Sequence, residues 1–261
     1  MHRSASASVR GLAAFALGLI AVPVWAQSCV DARDGVLHID LPMVQITPVL
    51  RHNGQPFVAA ANDSAELWLA QDGILQVKLG DTHLPTAPLN VVAGEYDIVW
   101  RDQAPENPTL PRNPYATFAH GVPVQRDGEF VVDVTSVLLS GEATHNGAAF
   151  PSSLFERGAI VAVGSNGLGE VVLGETHDGP FVRRVIAGPY DVVYRHITGN
   201  QLVPYNSNAV LASVDVQPGI GALALNVVSH QTSGAFLFNG AIAPLTPLER
   251  GRVMLRRTGV N

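Results

Sequence analysis

One cysteine, one lysine and no uncharged apolar run longer than about a dozen residues set the first limits on this 261-residue chain. Cys29 has no partner within the chain, so no intramolecular disulfide can form and stability must come from buried cores. No segment approaches the roughly 20 apolar residues that a membrane-spanning helix needs. No window sustains a 3.6-residue apolar period with capping residues, and prolines break the longer polar stretches, which excludes a helical bundle. Gly-x-Ser-x-Gly is absent, and Gly164-Ser165-Asn166-Gly167 reads as a turn, not a nucleophile elbow. Residues 164–169 are rich in glycine but lack the following helix that phosphate binding requires, so no cofactor is expected.

What is present begins with an export signal. Arg3 and Arg10 precede the uncharged stretch 11–22, and Val24-Trp25-Ala26 supplies residues suited to signal peptidase, with cleavage expected before Gln27. Removing residues 1–26 leaves 16 − 2 = 14 basic against 22 acidic side chains, a net charge near −8. That balance repels nucleic acid and anionic lipid. Three readings of Cys29 stand: plain secretion with a free thiol near the new N-terminus, a lipid anchor on this cysteine as in bacterial lipoproteins, or an N-terminal thiol that bridges two chains. The expected location is secreted, periplasmic or cell-surface.

The strongest signal is internal repetition. Asn-Gly recurs at Asn53-Gly54, Asn146-Gly147 and Asn239-Gly240, 93 residues apart each time. Leu37-His38-Ile39-Asp40-Leu41 lies in register with Phe130-Val131-Val132-Asp133-Val134 and Leu223-Ala224-Leu225-Asn226-Val227. Leu79-Gly80-Asp81-Thr82-His83 answers Leu173-Gly174-Glu175-Thr176-His177, and Gly94-Glu95-Tyr96-Asp97 answers Gly188-Pro189-Tyr190-Asp191 after a one-residue insertion. Pro111-x-Asn113 answers Pro204-x-Asn206. The copies are read as 36–128, 129–220 and an incomplete 221–261.

Each copy reads as short strands. Tyr190, Val192 and Tyr194 alternate with Asp191, Val193 and Arg195, as a strand with one buried face requires, and Tyr96, Ile98 and Trp100 repeat the pattern. The Asn-Gly pairs supply the positive φ angles of tight hairpins. Six or seven strands in about 90 residues predict an all-β chain of tandem β-sandwiches, with 101–116 a surface loop.

Gly141, Asn146-Gly147, residues 181–186 and Gly188-Pro189-Tyr190-Asp191-Val192, with residues 94–98 in the first copy, resemble the carboxypeptidase regulatory-like, transthyretin-type sandwich of bacterial secreted and surface proteins. Pro48 departs from that pattern where a strand-start glycine would stand. The resemblance implies accessory, adhesive or spacer roles without catalysis. Gly-x-Tyr also resembles the tyrosine corner of immunoglobulin-like sandwiches, where the hydroxyl bonds back to the main chain.

A third copy of about 40 residues is too small to close its own core. Phe236, Phe238, Val253 and Leu255 need cover, from which three expectations follow: a truncated reading frame, packing onto the second copy, or completion by a strand of another chain at an open edge.

Candidate chemistry is sparse. His52 and His145 precede Asn-Gly turns while His83 and His177 follow the Leu-Gly-acid-Thr segments; with Asp81 or Glu175 they define a candidate metal set, against a simpler reading as exposed turn histidines. Asp40, Asp133, Asp97 and Asp191 are expected to face solvent. Among the aromatics, Trp68 and Phe118 are platform candidates and Trp100 reads as core, while Tyr115 and Tyr205 lie in loops and are the candidate ligand contacts. The expected role is a non-enzymatic exported structural, adhesive or assembly module. Second comes a carbohydrate- or peptide-binding accessory module, and third a metal-dependent enzyme using the repeated histidines.

Overall fold

The computed structural model describes residues 29–33, 36–58, 64–103, 109–199, 202–235 and 237–242. The signal segment 1–26 lies outside the described residues, as do Phe236, Val253 and Leu255. The chain divides into two compact units between Val227 and Val228.

The first unit opens with a hairpin of Cys29–Arg33 (β1) and Val36–Asp40 (β2). Two sandwiches follow. Sandwich 1 uses Met43–His52 (β3), Gln55–Pro56 (β4), Ala65–Gln71 (β5), Ile74–Asp81 (β6), Leu89–Val92 (β7), Gly94–Asp102 (β8), Tyr115–Val124 (β9) and Gly128–Val134 (β10). Sandwich 2 repeats the series with Ser136–His145 (β11), Ala148–Ala149 (β12), Arg157–Gly164 (β13), Glu170–Glu175 (β14), Phe181–Ile186 (β15), Gly188–Thr198 (β16), Ala209–Val216 (β17) and Leu223–Val227 (β18). Among the described residues the only helix is one 3-10 turn, Thr176–Asp178. In the second unit, Leu237–Phe238 (β19) and Ala241–Ile242 (β20) form a hairpin around the third Asn-Gly pair.

The repeat is thus built as all-β sandwiches. One layer of each is a four-stranded antiparallel sheet, ordered β6-β5-β8-β9 and β14-β13-β16-β17. In the other layer β3 takes β7 antiparallel along Met43–Ile46 and β10 parallel along Ile46–His52, and β11 takes β15 and β18 in the same manner. Alternation decides what lies between the layers. Ile46, Val91 and Val134 meet Leu67, Leu69, Ile98 and Trp100 in sandwich 1, and one hydrophobic cluster continues into Leu139, Leu173, Tyr190 and Tyr194 of sandwich 2.

The Asn-Gly pairs turn as expected. Asn53, Asn146 and Asn239 have φ of 51, 51 and 50°, and their glycines 79, 82 and 80°, which the hairpin turn demands. The tyrosines also behave as the Gly-x-Tyr pattern implies: Tyr96 donates to the Val92 carbonyl at 2.7 Å and Tyr190 to the Ile186 carbonyl at 2.9 Å.

Two features differ from the sequence reading. Gly128–Val134, placed at the head of the second copy, is hydrogen-bonded to β3 of sandwich 1, and Leu223–Val227, placed at the head of the third, is bonded to β11 of sandwich 2. Copies and hydrogen-bonded bodies are out of step by one strand. A tandem repeat has no intrinsic phase, so alignment alone cannot say which copy a boundary strand completes. The second difference concerns outward-facing positions: Val99 is fully buried and Val193 is 3% exposed, against the expectation of a solvated face. Val161 and Ala159 lie beside Val193 on the outer surface of sandwich 2. Arg195 reaches across β13 to a two-point contact with Glu170 at 3.0 and 3.2 Å, so its aliphatic stem shields these small side chains.

If β10 belongs to sandwich 1, Val134→Ala should cost about 2 kcal/mol and should loosen sandwich 1 first. Hydrogen exchange tests this: amides of Val49 to Arg51 on β3 should lose protection, whereas the Val137 and Leu139 amides of β11 should change less.

Candidate functional site

Among the described residues, buried polar contacts gather at the junction between the two sandwiches. Only Thr135 separates β10 from β11, so one nearly continuous stretch of chain closes sandwich 1 and opens sandwich 2. On one side of it, the Asn53 amide donates to the Val134 carbonyl at 3.1 Å, and the Gly54 amide donates to Asp133 Oδ1 at 3.0 Å. The Asn53 side chain accepts from the Ser136 amide at 2.8 Å, and His52 Nε2 lies 2.6 Å from Ser136 Oγ. Asp133 therefore caps the Asn-Gly turn. Asp133 is exposed, as its alternation implies, and it also serves the turn, because turn amides point outward and need an acceptor.

Sandwich 2 repeats this arrangement with its own closing strand. Asn146 donates to the Val227 carbonyl at 3.0 Å and Gly147 to Asn226 Oδ1 at 3.0 Å. A carboxylate and a carboxamide both present an Oδ1 acceptor, which explains why Asp133 and Asn226 are equivalent. Each lies 80 residues after its Asn-Gly turn, at 53 and 146.

On the other side, the 109–114 loop of sandwich 1 enters sandwich 2. Asn113 is completely buried. Its Nδ2 donates to the Leu168 carbonyl at 2.8 Å and to the Tyr190 hydroxyl at 2.9 Å, and its Oδ1 accepts from the Ile186 amide at 2.9 Å. Both amide hydrogens and one oxygen lone pair of the carboxamide are used across the boundary. Burial pushes the Tyr190 phenol up to about 12, so it stays neutral and can accept from Asn113 while donating to Ile186. Around it, Arg112 N donates to the Arg184 carbonyl and Thr117 N to the Gly167 carbonyl, each at 2.8 Å. A Cβ on Gly169 would collide with the Tyr115 carbonyl, so close approach of the two sandwiches requires glycine there.

His120 extends the junction to the surface. Its Nε2 lies 3.0 Å from the Asn166 carbonyl of sandwich 2, and its Nδ1 lies 3.3 Å from Asp97. Both ring nitrogens face acceptors, so the imidazolium is favoured; the Asn166 carbonyl foremost, then Asp97, raises its pKa.

The other candidates are dispersed. His145 stacks on Phe150, which stacks on Tyr194, and His52 likewise stacks on Phe57 below Trp100. His177 lies elsewhere, with Nδ1 3.3 Å from Glu175 and Nε2 3.2 Å from Asp178. Among the described residues no group of three or more metal-ligating side chains converges, so the structure does not bring the repeated histidines around a shared acid. Trp100 is core, as its alternation implies, and Trp68 donates to Glu66 at 3.1 Å. Glu66 also binds Lys78 at 2.7 Å. Burial would raise the Glu66 pKa, but the hydrogen bonds from Lys78 and Trp68 outweigh it and hold the carboxyl below its usual range. Phe118 is packed against the core. Tyr115 is half in the junction, while Tyr205 is 66% exposed and stacks on His196 with ring centroids 4.5 Å apart. Cys29 begins β1, with its side chain outside the described set.

Asn113 was the residue missed by sequence reasoning. Its signal was the repeated Pro-x-Asn.

Two outcomes check the junction. Asn113→Ala strands the Ile186 amide, the Leu168 carbonyl and a phenol face, and should lower stability by roughly 2–4 kcal/mol in chemical denaturation. Protonated His120 is favoured in the fold, so its stabilising effect is fully present below the ordinary histidine pKa of about 6.5 and is lost as pH rises through the raised value. An NMR titration should place the His120 midpoint above the ordinary value, and Asp97→Asn should lower it.

No family model matches this chain, and no curated protein matches it. Among solved structures it is similar to a leucine-rich repeat protein from Bacteroides thetaiotaomicron at 15% identity and TM-score 0.24, over 72% of this chain and 26% of that one. It is similar to the TIE protein of Bacillus anthracis at 13% identity and TM-score 0.25, over 74% of this chain and 34% of that one. A minor pilin of Streptococcus agalactiae matches at 11% identity and TM-score 0.28, over 75% of this chain and 100% of that one. The chain thus spans about a quarter and a third of the first two, and its role has to be read from its own contacts.

Proposed function

We propose that this chain is a non-enzymatic, exported structural module of the bacterial surface, in which successive sandwiches are joined stiffly so that they act as one spacer or assembly element. The observation that carries this reading is the junction. Tandem domains joined by ordinary linkers move relative to each other by default. Here β10 lies in the sheet of sandwich 1 and runs into β11 of sandwich 2, while Asn113 is sealed inside the neighbour with its carboxamide bonded three times. A flexible tether would not bury a carboxamide completely at a domain boundary, because every reorientation would strand those groups.

Export belongs to the same proposal, and rests on the Arg-flanked apolar stretch before Ala26. Among the described residues no helix is long and apolar enough to cross a membrane. The carboxypeptidase regulatory-like resemblance accords with a spacer role through its Gly-x-Tyr motif alone.

Residual dipolar couplings on the mature chain test the stiffness. Amides of β5 and β8 and amides of β13 and β16 should fit one alignment tensor. Two different tensors in the unsubstituted protein would end the reading. Mass analysis of the protein recovered from its native host should show a chain beginning at Gln27, or a lipid on Cys29.

A further inference from the structure

Closing strands and Asn-Gly turns are more numerous than the pairs that the two sandwiches form. In sandwich 1, β10 lies along β3 and meets the Asn53-Gly54 turn, whose amides reach the Val134 carbonyl and Asp133 Oδ1. In sandwich 2, β18 lies along β11 and serves Asn146-Gly147 through the Val227 carbonyl and Asn226 Oδ1. One further member of each set is present. The Asn239-Gly240 turn has the φ angles of the other two, and Leu237 pairs with Ile242 as Arg51 pairs with Pro56 and Thr144 with Ala149. The closing sequence occurs again as Arg33-Asp34-Gly35-Val36-Leu37-His38-Ile39-Asp40-Leu41, against Arg126-Asp127-Gly128-Glu129-Phe130-Val131-Val132-Asp133-Val134. That copy precedes every Asn-Gly turn and the third turn follows every closing strand, so within residues 1–261 the 80-residue rule leaves both over.

Strand β2 carries this extra closing sequence, and the chain leaves it as it leaves β10. Ala93 N donates to the Pro42 carbonyl at 2.7 Å, and Ala187 N donates to the Thr135 carbonyl at 2.9 Å, so both strands enter the next sandwich through the same contact. Only two residues lie between Arg33 and Val36, which makes them a hydrogen-bonded pair of the β1-β2 hairpin. Alternation then turns the main-chain groups of Val36, His38 and Asp40 toward β1 and those of Leu37 and Ile39 to the opposite edge. The opposite edge is the one that closes a sandwich. The Val134 carbonyl meets the Asn53 amide, so Phe130, Val132 and Val134 are the residues of β10 that bond to β3, and Leu37, Ile39 and Leu41 correspond to them. The third turn, in contrast, has little strand leading into it. Ten residues form β3 and ten form β11, whereas among the described residues of 229–238 only Leu237 and Phe238 are strand.

We propose that the two spare elements meet between molecules: β2 of one copy of this chain lies parallel to the segment entering Asn239 of a second copy and closes its third turn. An open strand edge is a template for such addition. The Asn239 amide then donates to the Leu41 carbonyl and the Gly240 amide to the Asp40 carboxylate, as the other two turns do with their own closing strands. Room for the incoming strand is kept: a Cβ on Gly141 would stand 2.6 Å from the Leu223 carbonyl of β18, and Gly234 and Leu37 repeat that glycine and that leucine. Asp34 likewise repeats Asp127, which accepts from the Gln45 amide at 2.7 Å, and Gln231 stands in the place of Gln45.

This inference rests on the assembly part of the proposed role and gives it a partner, a second copy of the same chain. The contact is heterologous, so it extends into rows of molecules instead of stopping at a dimer. Turn and closing strand of sandwiches 1 and 2 share one chain and hence a high effective concentration. Between chains that tether is missing, so association depends on protein concentration.

The test uses residues 27–261 with Cys29→Ser. Outward pairs in the two formed ladders are Val131 with Val49 and Ala224 with Glu142, which the proposed contact repeats as His38 with Ala235. His38→Cys in one preparation and Ala235→Cys in another, mixed under a glutathione redox buffer, should give a disulfide-linked heterodimer about tenfold faster than Ala235→Cys mixed with Val58→Cys, an 88% exposed position outside both strands. Velocity sedimentation without introduced cysteines should show the mean coefficient rising with concentration. Asp40→Ala should move that rise to about tenfold higher concentration, whereas Asp40→Asn should leave it in place, because Asn226 serves the same turn position. A chain beginning at Pro42 should stay monomeric with the thermal unfolding of the sandwiches unchanged. A monomer at every concentration up to about 1 mM, cross-linking no faster than the control pair, self-association that survives removal of β2, or equal effects of Asp40→Ala and Asp40→Asn would each overturn the proposal. The single-tensor result and the Asn113→Ala measurement concern the junction and not β2, so a stiff but strictly monomeric module would be recognised as such.

Discussion

Everything in the first unit depends on one parallel ladder, Gly128–Val134 against Ile46–His52. It contributes Val132 and Val134 to the core of sandwich 1, and its end places Asp133 under the Asn53-Gly54 turn. Because only Thr135 intervenes before β11, the same ladder fixes where sandwich 2 begins. The polar contacts of Asn113, Arg112 and Thr117 on the opposite side are possible only because that start point is set. Two constraints on opposite sides of a boundary suppress hinge motion far better than either would alone.

Much of this was legible in the residues. The alternation Tyr96-Ile98-Trp100 and Tyr190-Val192-Tyr194 specifies a strand with one buried face, and all six side chains are buried. Asn-Gly at fixed spacing identified hairpins, and each asparagine has the positive φ that the turn requires. The phase of the repeat was not legible. A strand that pairs with the preceding copy and one that pairs with its own have the same alternation, so the parallel partner of β10 leaves no mark on its sequence. Asp133 lies on the exposed face that alternation assigns it, but its capping of the turn was not legible for a related reason: alternation says which face an acid occupies, not that a turn from the neighbouring strand presents an amide to it. The clue lay in pairing two repeated features, Asn-Gly and the acid or amide 80 residues later, instead of reading each alone.

The copies have diverged where nothing is shared. On the outer face of sandwich 1, Glu66 gathers Lys78, Trp68 and Arg101, whereas on sandwich 2 Arg195 and Glu170 span a strip of Ala159, Val161 and Val193. These solutions cover a central strand equally well, and neither touches the junction. Candidate ligand residues divide along the same line. Tyr115 is committed to the boundary by its carbonyl against Gly169, and its counterpart near the end of sandwich 2, Asn208, is exposed beside the solvent-facing Tyr205.

The displaced phase of the strands also orders events at the ribosome. Sandwich 1 lacks its last strand until Val134 has emerged, and by then synthesis has already entered the following copy. Folding is thereby ratcheted from the N-terminus: each body locks only when its successor has been started, and the locking strand is drawn from the nearest downstream chain. Tandem repeats that share strand pattern are prone to misassemble or exchange strands during refolding. Vectorial completion of this kind removes the wrong partner from reach at the moment the choice is made.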